Sequence, residues 1–130
     1  MLVVAALPGM AQAIDVKTLP APKSEEIWYV PDHRLPMIAV SAAFPAGSAY
    51  DPRDKAGLAN FTADLLDEGA GKLKADAFQT ALGNRAIRLS TTIERDYLIV
   101  SFVTLADNAK DAFDLLGLAL ARPRFDAEAI

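Results

Sequence analysis

Apolar residues recur along this chain in short bursts whose period switches between two and 3.6. Glu26-Ile27-Trp28-Tyr29-Val30 is rich in β-formers, Pro31-Asp32-His33-Arg34 is turn-like, and Met37 to Phe44 is an apolar run of strand length. The pattern predicts a hairpin of the two segments. Residues Pro45 to Pro52 are punctuated as a loop, after which Lys55 to Leu66 turns helical. Leu58, Phe61, Thr62 and Leu65 are spaced to share one face of that helix, and Asn60, Ala63, Asp64 and Asp67 another. Gly69 and Gly71 are expected to end it. A second helix is expected over Ala75 to Leu82, stopped by left-handed Gly83-Asn84. Ile87 to Ile93 then alternates, Glu94-Arg95-Asp96 turns, and Tyr97 to Leu105 is β-branched and aromatic. Asn108 to Ala121 reads as a helix with Ala109, Ala112, Phe113, Leu116 and Leu120 on its apolar stripe, broken by Pro123. Phe125-Asp126-Ala127-Glu128 has the pattern of a further helix start with Asp126 as N-cap. The order ββααββα implies an α+β domain, a mostly antiparallel β-sheet flanked by helices, and the chain reads as a fragment of something longer.

The two ends of the first 25 residues read differently from the rest. Residues 1–13 run from the apolar stretch Leu2 to Leu7 through Pro8-Gly9 to Ala11-Gln12-Ala13, the pattern of the tail of a secretory signal peptide. A basic leader start is missing, so either the true start lies upstream or the segment is a buried strand. The signal reading predicts export to a bacterial periplasm. Its apolar run is far short of the roughly 20 residues that span a bilayer. Residues 14–24, with Pro20 and Pro22, read as a tether, leaving residues 25–130 as the one domain.

Composition narrows the chemistry. A hydrophobic fraction of 52% supports a folded core, while a net charge of −4 without a Lys/Arg cluster argues against nucleic acid as a partner. The absence of cysteine removes disulfides, thiolate nucleophiles and Cys-based zinc sites. Any metal would be held by His, Asp, Glu or Asn.

Gly47-Ser48-Ala49-Tyr50-Asp51-Pro52 followed by Gly57-Leu58-Ala59-Asn60-Phe61 closely resembles the opening of the pitrilysin/insulinase (M16) zinc metallopeptidases. Those proteins read Ala-Gly-Ser-x-Tyr-Glu/Asp-Pro and then Gly-Leu-Ala-His-Phe-x-Glu-His. The likeness extends from about Glu26 to Ile130, including Ala121 to Phe125. It implies the N-terminal part of a pitrilysin/LuxS-like metallohydrolase domain, incomplete at its C-terminal end.

In active members an inverted His-x-x-Glu-His motif supplies two zinc ligands from one helical face and a general base, with a further Glu ligand downstream. By this resemblance the first His falls on Asn60, the catalytic Glu on Ala63 and the second His on Asp64; the third ligand falls past Ile130. All three positions are changed. An Asn amide binds zinc feebly, one carboxylate at Asp64 is too few donors, and Ala63 cannot accept a proton. The resemblance therefore implies no catalytic residue and no cofactor in this chain, with Asp64 as a weak metal candidate. It also implies a partner: a homologous zinc-bearing subunit or half that closes around a peptide substrate with this one, forming a heterodimer. Two rival readings stand beside it, an active zinc metallopeptidase with an unusual ligand set and a peptide-binding scaffold with no protease partner.

Several residues carry a plainer reading. His33, the only histidine, is a surface turn residue beside Asp32 rather than a ligand or base. Asp64, Asp67 and Glu68 form a solvated helix end, with a Ca²⁺ or Mg²⁺ site as the sharper alternative. Trp28, Tyr29 and Tyr50 are expected in core or cross-strand packing, with a peptide groove as the alternative. Glu94-Arg95-Asp96 is a charged hairpin tip.

Overall fold

Alternation sets the sheet of this protein, and 3.6-residue spacing sets the helices that cover it. A computed structural model describes residues 14–21 and 26–129, so the leader-like residues 1–13 lie outside the described residues. The chain divides into two units, residues 1–35 and 36–130.

In the first unit β1 (Lys17–Leu19) pairs antiparallel with β2 (Ile27–Tyr29), Lys17 opposite Tyr29 and Leu19 opposite Ile27. Part of the expected tether is therefore a strand. It stops at Leu19 because Pro20 has no N–H for the ladder. The expected hairpin of residues 26–30 with residues 37–44 does not form, since β2 takes β1 as partner.

The second unit begins with β3 (Met37–Phe44), a short 3₁₀ turn at Ser48–Tyr50 and helix α1 (Leu58–Asp64). A small hairpin follows, β4 (Gly69–Ala70) with β5 (Leu73–Lys74), where the sequence suggested only a helix stop. Helix α2 (Ala75–Gly83) leads to β6 (Arg88–Ile93) and β7 (Leu98–Leu105), and helix α3 (Ala109–Ala121) closes the unit. The main sheet is antiparallel in the order β3-β7-β6. All eight residues of β3 find partners in β7, from Met37 opposite Leu105 to Phe44 opposite Leu98.

Period-2 alternation on β7 sends Val100, Phe102 and Thr104 to one face, each 1% exposed. Ile38 and Val40 of β3 and Leu89 of β6 join them, and Phe78 and Leu82 of α2 with Ala112, Leu116 and Ala119 of α3 complete the core. Each fully buried phenylalanine contributes about 1.5–3 kcal/mol over its exposed state. The α3 stripe is rotated from expectation: Ala119 is buried, while Phe113 is half exposed and meets Phe102 edge-on, centroids 5.1 Å apart.

Three local expectations are corrected. Gly83 and Asn84 do not take left-handed angles; Ala86 does, at φ 49°. The hydrogen bonds explain the shift, because Ile87 N–H donates to the Leu82 carbonyl at 3.0 Å and Ala86 N–H to the Gly83 carbonyl at 3.1 Å. That pairing is a Schellman cap, which places its left-handed residue at 86. The Asp126 carboxylate is engaged by Arg124 rather than by a helix start, and a 3₁₀ turn at Ala127–Ala129 is what the described residues hold after it. Finally, α1 is shorter than Lys55 to Leu66 and turns a different face inward. Of the expected face Leu58 and Phe61 are 42% and 46% exposed and Thr62 is half-buried, with only Leu65 buried, at 5%, whereas Ala63 of the other face is 3% exposed. Helix α1 lies against β6, and the small Ala63 lets the backbones approach, with the Thr91 hydroxyl donating to the Ala63 carbonyl at 3.2 Å.

Candidate functional site

The loop from Pro45 to Pro52 sits on the β6–β7 turn. Ser48 N–H donates to the Glu94 carbonyl at 3.0 Å and Ala49 N–H to the Arg95 carbonyl at 2.7 Å. Gly47 is buried at this contact, and a Cβ there would lie 2.4 Å from the Tyr97 nitrogen and 2.5 Å from the carbonyl oxygens of Glu94 and Arg95. Only glycine allows the loop this close. Glu94-Arg95-Asp96, read as a hairpin tip, thus seats the loop through its backbone.

From that seat the chain reaches Asp51, whose carboxylate caps α1. It accepts from Gly57 N–H at 2.7 Å and from Ala59 N–H at 2.8 Å, two donors at the helix start that α1 itself cannot satisfy. Gly57, at φ 93°, supplies the left-handed step into the helix. Sequence reasoning did not find this cap. The available signal was an Asp-Pro pair closing a loop shortly before an apolar helix.

Asn60 and Asp64 stand four residues apart on α1 and are both exposed, so a ligand pair at these positions would share one accessible face. Ala63 lies instead in the seam between α1 and β6. Helix α1 thus carries an amide, a methyl and a carboxylate at the positions that the motif resemblance assigns to two imidazoles and a base. This donor set does not fit a catalytic zinc.

The acidic residues beyond α1 do not gather around a cation position. Asp67 is tied to α2, the Gln79 side-chain amide donating to its carbonyl at 3.0 Å and to its carboxylate at 3.1 Å. Among the described residues no three His, Asp or Glu side chains converge as a metal-binding group. In the first unit His33 is exposed, between Asp32 and Arg34, which form a bidentate ion pair with distances of 2.9 and 2.6 Å. That pairing holds the Asp32 carboxyl down to about 2. Trp28, Tyr29 and Tyr50 are 72%, 43% and 64% exposed, so none is a core residue, while Trp28 and Tyr29 do stand in a cross-strand ladder, opposite Thr18 and Lys17.

The retained frame around the altered helix matches a known family. Residues 29–130 match the insulinase family of peptidases, peptidase family M16. This chain belongs to that family. Over 102 residues it is 29% identical to the non-peptidase homolog YmxG of Helicobacter pylori, a stretch covering 78% of this chain and 24% of that protein. Two solved structures share its fold. The peptidase M16 inactive domain from Pseudomonas fluorescens superposes with a TM-score of 0.81 at 23% identity, over 89% of this chain and 28% of that one. A protease from Helicobacter pylori superposes with a TM-score of 0.74 at 15% identity, over 90% of this chain and 28% of that one. The chain thus spans about a quarter of the length of these three proteins. Among its described residues no helix is long and apolar enough to cross a membrane.

Proposed function

We propose that this chain is part of an exported, non-catalytic M16 homologue that helps a zinc-bearing partner bind and hydrolyse peptides. The observation that carries the reading is the pairing of an intact frame with an absent chemistry. Gly47 and Asp51 seat and cap α1, yet Asn60, Ala63 and Asp64 stand where the motif resemblance would put both ligands and the base. Without a base alone, hydrolysis loses about 10²–10⁴-fold, and without two imidazoles the metal itself is not held. The similarity to a protein called a non-peptidase homolog and to an inactive M16 domain supports the same conclusion. Export rests on the leader-like residues 1–13.

The role left to such a chain is to position substrate. Holding an extended peptide across another subunit's metal contributes to rate through orientation, up to about 7–11 kcal/mol in the most favourable systems. The test is a peptide-cleavage assay of a zinc-bearing M16 homologue from the same cell, with the full-length protein titrated in. The expected result is faster turnover with the protein present, none from the protein alone, and well under one zinc per chain by elemental analysis. An unchanged rate at saturation together with separate elution on a sizing column would remove the partnership. A stoichiometric zinc that vanishes in Asp64→Ala would instead establish an enzyme with an unusual ligand set.

A further inference from the structure

A second polar locus forms where the chain leaves α3. Residues Arg122 to Arg124 run antiparallel beside Gly69 to Gly71, with Ala70 bridged to Pro123. Gly71 N–H donates to the Arg122 carbonyl at 2.8 Å, and Arg124 N–H to the Gly69 carbonyl at 3.1 Å. Between this segment and the β4–β5 turn lies an open groove of about 730 Å³. Leu73, Leu118 and Pro123 contribute apolar lining, and Lys72, Arg122 and Arg124 line it with one acid, Asp126, while Lys74 and Glu128 lie just outside the lining.

That acid is already engaged. The Asp126 carboxylate accepts from Arg124 Nε at 2.7 Å and Nη2 at 3.1 Å, while Arg124 Nη1 donates to the Gly71 carbonyl at 3.0 Å. A guanidinium carries five N–H donors. Three are used here, so two remain on a head group whose position is fixed from two sides. Lys72 and Arg122 are exposed and form no ion pair with any described residue. The groove is therefore a local excess of positive charge on a chain of net charge −4.

The geometry points to a docking groove for an acidic peptide segment, one in which carboxylates flank an apolar side chain. The apolar residue would lie over Leu73 and Leu118, and the carboxylates would meet the remaining donors of Arg124 and the charges of Lys72 and Arg122. Charge-assisted hydrogen bonds to carboxylates are about twice as strong as neutral ones, and a guanidinium held in place beforehand loses little freedom on binding. The apolar share of the lining, Leu73, Leu118 and Pro123, favours peptide over a phosphate chain, which has nothing to place against it. This inference does not depend on the partnership proposed above, and the two fail separately because the following test needs only this protein.

Fluorescence anisotropy of the full-length protein would compare two labelled peptides, one alternating Glu and Leu and one alternating Gln and Leu. The acidic peptide should bind at least about tenfold more tightly, and its affinity should fall as salt is raised. Lys72→Glu with Arg122→Glu should weaken it at least about tenfold at an unchanged melting temperature, because both side chains are exposed. Should that variant misfold, Lys72→Gln with Arg122→Gln should still weaken it several-fold. Equal binding of the two peptides, or unchanged affinity in a folded variant, overturns the proposal. Full displacement of the peptide by equimolar inorganic phosphate overturns it as well, marking a plain anion site. So does a self-association of the wild type that the variant abolishes, which would make a second copy the occupant.

Discussion

Replacing Gly47 by alanine tests whether the family motif is held by backbone packing. The new Cβ would stand 2.4–2.5 Å from three backbone atoms of the β6–β7 turn, none of which can swing aside as a side-chain tip can. Ordinary carbon contacts lie at about 3.5–4.0 Å, so the loop must retreat by about 1 Å. Retreat breaks the hydrogen bonds of Ser48 to Glu94 and Ala49 to Arg95, each worth about 0.5–1.5 kcal/mol net. It also pulls Asp51 from the start of α1, a cap worth about 1 kcal/mol. The expected loss is about 2–4 kcal/mol, read as a lower urea midpoint at constant m. Gly83→Ala is the control, since a Cβ there meets open space inside the last turn of α2, and it should be neutral or stabilising by about 0.5–1 kcal/mol. If Gly47→Ala unfolds within about 0.5 kcal/mol of wild type, the loop is not seated as described.

Ala86→Gly should stabilise the protein by about 1 kcal/mol, because an alanine at φ 49° carries a left-handed penalty that glycine escapes; a melting temperature that falls would refute the cap. Ala63→Glu should cost at least about 2–3 kcal/mol by forcing a carboxylate into the α1–β6 seam, whereas Asn60→His with Asp64→His should be nearly neutral in a thermal melt. Hydrogen bonding from Arg124 lowers the Asp126 carboxyl below its unfolded value, so its stabilisation is present above the usual carboxylate range and is lost as pH falls through the lowered value. Asp126→Asn should therefore destabilise at pH 7 and cease to do so in strong acid, as urea melts at both pH values would report.

Local periodicity was a good guide wherever the partner was close in sequence. The β6–β7 hairpin with its turn at 94–96, and both longer helices, sit within a residue or two of expectation. Pairing across distance was not legible. Nothing in residues 37–44 says that they pair with 98–105, some sixty residues away, because alternation marks a strand but not its partner. The inward face of α1 was misjudged for a related reason. Counting apolar residues selects Leu58 and Phe61, but a seven-residue helix lying close on a strand favours a small side chain at the contact, and Ala63 takes it. Motif spacing did locate Asn60, Ala63 and Asp64 together on one short helix. Their unequal exposure, the Asp51 cap and the Arg124 clasp depend on tertiary contacts and were invisible in the chain.

The Gly47 seat and the Asp51 cap have a consequence for how this family diverges. The motif that marks an M16 chain combines two inheritances, one of carpentry and one of chemistry, written a few residues apart. Gly47 and Asp51 belong to the carpentry: they hold α1 to its neighbours whatever its outward residues are. Asn60 and Asp64 point to solvent, so the ligand positions can drift without loosening a joint. Ala63 is the exception, since it lies in the seam itself, so on this helix only the two outward positions are free of the fold.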